Sequence, residues 1–270
     1  MNKIDVVYCV LTYKNYNDLY SFIKSIKNLV IIDHTYRIVV VNAFSNNEVS
    51  TKIRSIAGEY DCDFIECENK GYGYGNNIGI EYILSNYDFK YLIVSNADIS
   101  IKNISIYAME SYANYIIAPH IETLKKKNQN PLLSYYWSLN ERILYYAFKN
   151  RNRILWYFGI LNNKLMRYGF FIKYKISGGK KNYIFASHGS FVIFPYNVVI
   201  KLKPIYDINM FLMCEESDLA RKAESLSIKT VYCDKIKVIH KEDGSMKLLT
   251  INTFDLLRKS FLYYYKKWNG

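Results

Sequence analysis

The sequence predicts an α/β chain: a mainly parallel central sheet flanked by helices, with an inserted aromatic and basic helical segment and a C-terminal helix. Three observations predict it. Over residues 1–118, short runs rich in β-branched residues alternate with segments of helical apolar spacing, the pattern of βαβ units. The strand-like runs are nearly all apolar rather than alternating, as strands covered on both faces require. Polar and glycine-rich clusters follow the strand ends directly, and open α/β sheets bind ligands beyond the carboxyl ends of their strands.

The elements follow in order. Residues 4–11 read as the first strand, and residues 17–28 as a helix with Leu19, Phe22, Ile23 and Ile26 on one face. A second strand over 37–41 precedes a helix over 49–57 and a short third strand over 64–66. A helix over 76–85 leads to a fourth strand over 91–95, which ends at Asn96. Residues 124–183 change character: they open on Lys125, Lys126 and Lys127, then interleave aromatic and basic residues such as Trp137, Arg142, Trp156 and Arg167. One or two amphipathic helices are expected there. Residues 184–240 return to mixed strands and helices, and the tail over 254–268 is again apolar, aromatic and basic. The chain therefore divides into 1–123, 124–183, 184–250 and 251–270.

With 270 residues, half of them apolar and 22% charged, the chain is globular rather than disordered. Its net charge of +12 indicates a surface that attracts anions: nucleic acid, anionic lipid or phosphorylated small molecules. A bias toward lysine along the whole chain would give the same total. The five cysteines lack CxxC spacing, which argues against a zinc site or a disulfide framework. The N-terminus is too quickly interrupted for a signal peptide, and no eighteen-residue apolar stretch exists. A cytoplasmic protein is expected, soluble or peripheral on the inner face of the plasma membrane.

Four clusters carry candidate chemistry. Residues 68–79 (ENKGYGYGNNIG) place closely spaced glycines after a strand, which lets backbone approach a ligand and points a helix N-terminus at a phosphate. A plain tight turn fits the segment equally well. Asn96 and Asp98, just past a buried strand, offer two oxygen ligands of the kind that hold Mg²⁺ or Mn²⁺; an Asx turn is the bland alternative. Glu215, Glu216 and Asp218 crowd carboxylates at a helix start, which suits a general base whose pKa a neighbour raises. Acidic residues favour helix N-termini in any case. His240 follows that cluster by one helix and one strand.

Together these clusters, in this order, resemble the family-2 inverting glycosyltransferases of the GT-A fold, in particular the rhamnosyltransferase-like and galactofuranosyltransferase-like branch of bacterial surface polysaccharide synthesis. The resemblance spans about residues 4–245 and implies roles residue by residue. Thr12 and Tyr13 match the turn after the first strand, and Asn42 stands where a base-binding aspartate is usual. Asn69, Gly71, Asn77 and Asn96 would line the donor pocket. Asp98, with His240, would hold Mn²⁺ or Mg²⁺, the metal bridging the diphosphate of a dTDP- or UDP-sugar. Glu216 stands at the position of the catalytic aspartate, beside Glu215 and Asp218. His188, Gly189, Ser190 and Arg221 would shape the acceptor side, and Gly244 and Ser245 would close the histidine segment.

The implied activity is transfer of rhamnose or another hexose to a glycan or polyprenyl-linked acceptor, as in capsule or O-antigen synthesis. The insertion and tail fit in-plane membrane helices, and they equally fit a helical core or an interface between subunits of a homo-oligomer. A dinucleotide oxidoreductase is excluded, since residues 11–15 contain no glycine after the first strand. No RNP-like or helix-turn-helix signature supports nucleic-acid binding. The Asn42 and Glu216 departures leave a second class open, a catalytically degenerate GT-A-fold module that binds glycan, lipid headgroup or nucleic acid.

Overall fold

The computed structural model describes residues 3–29, 34–180, 182–242 and 253–270. Gly244 and Ser245 of the expected histidine segment lie outside the described residues, as do the junction residues 251–252. The chain runs β1 (Lys3–Thr12), α1 (Tyr16–Lys27), β2 (Tyr36–Ala43), α2 (Asn47–Glu59), β3 (Asp63–Cys67), α3 (Tyr72–Asn86), β4 (Asp88–Asn96) and β5 (Ile99–Asn103). It continues with α4 (Ile106–Glu110), β6 (Ile116–Thr123), α5 (Ser138–Lys149), α6 (Arg153–Ile176), β7 (Tyr183–Ile184), β8 (Phe191–Pro195), α7 (Tyr196–Leu202), α8 (Glu215–Ser225), β9 (Thr230–His240) and α9 (Thr253–Asn269).

The strands form one nine-stranded sheet in the order β3-β2-β1-β4-β8-β6-β9-β5, with β7 on β9. The first four are parallel, as the βαβ alternation predicts. From β8 onward the sheet is mixed: β8 is antiparallel to both β4 and β6, and β5 is antiparallel to β9. The expected mainly parallel sheet thus holds for the first half of the chain. The second half adds to the same sheet with both senses, β6 and β9 being parallel to each other and flanked by the antiparallel β8 and β5.

Side chains of β1 alternate between two cores. Val6, Tyr8 and Val10 face α1, where Leu19, Phe22, Ile23 and Ile26 are fully buried. Val7 and Cys9 face the other side, against Ile80 and Ile83 of α3 and Leu219 and Ala223 of α8. This double cover is why the strand reads as continuously apolar.

The glycine-rich segment differs from expectation. Helix α3 begins at Tyr72 and runs through Gly73, Gly75 and Gly79, so these glycines are helical rather than a loop. A Cβ at Gly75 would stand 2.6 Å from Leu11 Cδ1, and one at Gly79 would stand 2.5 Å from Cys9 Sγ. They bring α3 flush onto the sheet. Only Gly71 has a conformational reason: its φ is 111°, and a Cβ there would meet the Phe211 carbonyl at 2.2 Å. Gly71 thereby lets Tyr72 N–H donate to Phe211 O at 2.8 Å.

Residues 124–183 form two helices, α5 and α6, which cross where Gly159 admits the Leu144 side chain. The tail forms α9, whose aromatic residues are buried or half-buried rather than outward. Phe261 and Tyr264 pack with Phe148 of α5 and Met210, and Tyr145 stacks on Tyr265 at 4.1 Å. Of the two segments expected to be membrane helices, α9 is therefore a core helix, its apolar face covered by α5 and by the loop before α8.

Candidate active site

A cleft of about 480 Å³ opens at the carboxyl ends of β1 and β4. Its wall begins where β1 ends: Thr12 is paired across the sheet with Asn42, and Leu11 with Asn96. Thr12, Tyr13, Asn69, Gly71, Asn96 and Asp98 line it, as do His188, Gly189, Ser190, Glu215, Glu216 and His240. Most of the sequence-predicted site residues thus come together in one place, from segments far apart in the chain.

Sheet topology explains the meeting of Asp98 and His240. Asp98 sits in the tight turn between β4 and β5, and antiparallel pairing sets Ile99 opposite His240 at the end of β9. His240 Nε2 lies 3.2 Å from Asp98 Oδ2, and both residues are buried. The other ring nitrogen, Nδ1, lies 2.8 Å from Gln129 Oε1. Gln129 in turn donates its amide N–H to Glu242 at 3.0 Å, which orients its oxygen toward the ring. The Gln129 oxygen accepts the Nδ1–H, and Nε2 on the other side of the ring faces the Asp98 carboxylate. An imidazole nitrogen and a carboxylate oxygen turned toward each other are ligands that a divalent cation can share. Among the described residues no third His, Cys, Asp or Glu side chain joins them. A hard divalent ion tolerates so few protein ligands when phosphate and water complete its shell.

His188 stands beside this pair, its ring 5.6 Å from that of His240. Its Nδ1 accepts the Ser190 N–H at 3.2 Å. Burial, and the neighbouring His240, push its pKa down to about 3, so it is neutral at ordinary pH.

The acidic pair occupies the opposite wall. Two consecutive left-handed residues, Met213 (φ 74°) and Cys214 (φ 71°), turn the chain into α8 so that Glu215 and Glu216 face the cleft. Left-handed conformation at two non-glycine residues costs energy and is a mark of functional loops. Glu215 is buried, with Oε1 making no hydrogen bond. Burial, reinforced by the charge of Glu216, raises its pKa to about 8. Burial also raises that of Glu216, opposed by the Gly189 N–H that donates to its Oε1 at 3.3 Å.

This has a consequence for stability. Between about 4.5 and about 8 the folded chain holds a proton on Glu215 that the unfolded chain has released. Stability therefore falls as pH rises through that window. Glu215→Gln keeps the neutral shape at every pH. Its melting temperature is expected to match the wild type near pH 5 and to exceed it by several degrees near pH 8. A difference that does not change with pH would place the raised carboxyl elsewhere.

Four of the sequence-predicted residues do not line the cleft. Asn42 is buried behind Ala43, donating to Glu66 Oε2 at 3.0 Å. Asn77 binds both the N–H and the carbonyl of Tyr206, at 3.1 and 2.8 Å, and so anchors the loop that carries Phe211 and Met213. Asp218 lies on the far side of α8, accepting from Trp268 Nε1 at 2.7 Å and Lys267 Nζ at 2.9 Å. Arg221 is sandwiched between the Tyr136 and Trp268 rings, 4.4 and 5.5 Å from their centroids. The last two are docking points for α9, turned away by the helical period from the face that Glu216 presents.

Other lining residues went unnoticed in the sequence. Asn15 caps α1 by accepting the Asp18 N–H at 3.2 Å, and Asp18 pairs with Lys241 at 3.0 Å. Both line the cleft, and the Asn-x-x-Asp cap was a legible signal. Gln129 carried none, and Tyr72 stood within the glycine-rich segment without being singled out. Tyr72 O–H donates to Gly189 O at 2.7 Å and so braces the segment facing Glu216.

No family model matches the chain. Over 125 residues, 43% of the chain, it is 30% identical to the low-salt glycan biosynthesis hexosyltransferase Agl10 of Haloferax volcanii, covering 36% of that protein. The chain thus spans about a third of the length of the curated relative it matches. Among solved structures, GalNAc-T7 with UDP, GalNAc and Mn²⁺ superposes with a TM-score of 0.61 and 11% identity, covering 88% of this chain and 44% of the other. S. aureus TarS superposes with a TM-score of 0.55 and 10% identity, over 88% and 37%. The architecture is that of the GT-A glycosyltransferases.

Proposed function

We propose that the protein is an inverting glycosyltransferase that moves a hexose from a nucleoside-diphosphate sugar onto a glycan or lipid-linked acceptor. The observation that carries this reading is the pairing, across one cleft, of Asp98 and His240 with the buried Glu215 and the half-buried Glu216. The hexosyltransferase named above and the GT-A fold support it.

In this reading the nucleotide lies along Thr12, Tyr13 and Asn69, and the diphosphate beside Asn96 and Asp98. Asp98 and His240 would hold Mn²⁺ or Mg²⁺, and such an ion, when bound, neutralises charge on the leaving diphosphate. The acceptor hydroxyl lies at Glu216. Its oxygen bonds to the anomeric carbon as the bond to the diphosphate breaks, and Glu216 takes the hydroxyl proton. One displacement inverts the anomeric centre.

The environments divide the glutamate pair into two roles. The Gly189 N–H favours a charged Glu216, while Glu215, without such a donor on Oε1, keeps the proton. The base is therefore Glu216, and Glu215 is its neutral neighbour. Asp218 and Arg221 act only by seating α9 against α8. The acceptor side is formed by His188, Gly189 and Ser190.

A panel of UDP- and dTDP-hexoses, with Mn²⁺ or with EDTA, tests the reading through thermal shift and nucleoside diphosphate release. A donor at about a hundred times its Kd stabilises the fold by about 2.7 kcal/mol. One donor is expected to give a metal-dependent rise in Tm and metal-dependent turnover. No response to any donor would favour a GT-A-fold binding module.

A further inference from the structure

Helix α6 presents an apolar face to solvent along its whole length. Ile154, Phe158, Leu161, Leu165, Tyr168 and Ile172 recur at intervals of three and four residues, and their exposures run from 43% (Ile172) to 81% (Ile154). Such a stripe normally faces a core. Here the core-facing side is the opposite one: Phe170 is buried against Tyr232, and Arg167 donates to the Asn128 carbonyl at 2.6 Å. The helix is roughly 36 Å long. It contains five Lys or Arg residues and no Asp or Glu. On the helical wheel Arg153, Lys164 and Lys175 flank one edge of the stripe, and Lys173 the other.

We propose that this outer face of α6 docks in the plane of an anionic lipid bilayer. The stripe enters the headgroup–acyl boundary, and the flanking cations meet lipid phosphates. No described helix is long and apolar enough to cross a membrane, so α6 lies on the surface. Charge selects the occupant. A second copy of the chain would set an identical helix, with five cations and no anion, against the first, whereas an anionic leaflet complements every flanking charge. The inner face of the same helix is bonded to Asn128 and to Leu132, through Asn163 Nδ2 at 3.1 Å, and these residues bracket Gln129 in the cleft. Docking α6 therefore sets the segment that carries Gln129 into the cleft directly behind the membrane-facing helix. This inference rests on the lipid-linked acceptor of the proposed function for its purpose, and on α6 alone for its chemistry.

Flotation with phosphatidylcholine vesicles, with and without phosphatidylglycerol, tests it on the full chain. The protein is expected to bind the anionic vesicles roughly tenfold better than the neutral ones, and less well as salt rises. Leu161 and Leu165 are exposed, so the double variant L161E/L165E leaves the core intact. It should melt like the wild type and lose anionic-vesicle binding roughly tenfold. Equal vesicle binding by wild type and variant would overturn the proposal. So would a wild-type dimer that the variant dissociates without any vesicle binding. Nucleoside diphosphate release measured without vesicles separates this from the enzymatic reading. Vesicle binding without donor response keeps the membrane face and removes the enzyme; turnover without vesicle binding does the reverse.

Discussion

Asp98→Ala is expected to lower kcat/KM for hexose transfer by on the order of 10³, and to remove the part of donor binding that depends on divalent metal. Asp98 is buried at the β4–β5 turn, and its carbonyl accepts the Lys241 N–H at 3.0 Å. That backbone bond survives the substitution, so the turn persists while the carboxylate is lost. His240 then keeps its Gln129 partner but faces no second ligand. Thermal shift with a nucleotide sugar, with Mn²⁺ and with EDTA, reads the binding half of the prediction independently of turnover. A variant that retains metal-dependent stabilisation and rate would move the cation site away from Asp98. Asp98→Asn, which keeps one oxygen, should fall between the two.

Glu216→Gln is expected to reduce kcat by 10²- to 10⁴-fold, the range for loss of a general base, with little change in donor KM. Glu215→Gln should cost far less, and it adds a second signature. In the wild type the rate is expected to rise with pH as the base loses its proton. Burial raises the Glu216 pKa, while Glu215, which the Glu216 charge raises in turn, still holds its proton as Glu216 ionises. Replacing Glu215 with a neutral amide keeps an uncharged neighbour, so the acid limb of the pH–rate profile should stay where it is in the wild type. Turnover surviving in Glu216→Gln but lost in Glu215→Gln would exchange the two roles. Neither substitution touches the Asp98–His240 pair, so metal-dependent donor stabilisation should remain in both.

Much of the fold was legible because it rests on local period. Leu19, Phe22, Ile23 and Ile26 marked α1, and all four are fully buried. The apolar runs marked β1, β2 and β4, and two helices stand where the aromatic insertion predicted one or two. The site was legible only in its residue types. Asn96, Asp98, Glu215, Glu216 and His240 stood out as polar groups at strand ends and at a helix start, and all five line one cleft. Gln129 had no such signal, since a glutamine in a loop looks like any polar surface residue until β9 brings His240 to it. The glycines of residues 71–79 misled for the opposite reason. Gly73 and Gly75 read as the turn before a helix starting at Asn76, whereas the helix already begins at Tyr72, and Gly75 and Gly79 thin it where it lies on Leu11 and Cys9.

By itself the sequence determined the α/β class, the order of the elements in its first half and the chemical inventory of the cleft, because each depends on residues a few positions apart. Tertiary structure alone decided which groups meet and which faces stay open. Asp98 reaches His240 only through the antiparallel β5–β9 pair. Glu215 and Asp218 share one helix turn, yet one faces the cleft and the other Trp268. Two aromatic, basic helices have opposite fates, α9 covered by α5 and α6 left with its stripe in solvent. The reason is physical: an amphipathic pattern states that a face is apolar, but what covers that face is set by neighbours distant in the chain.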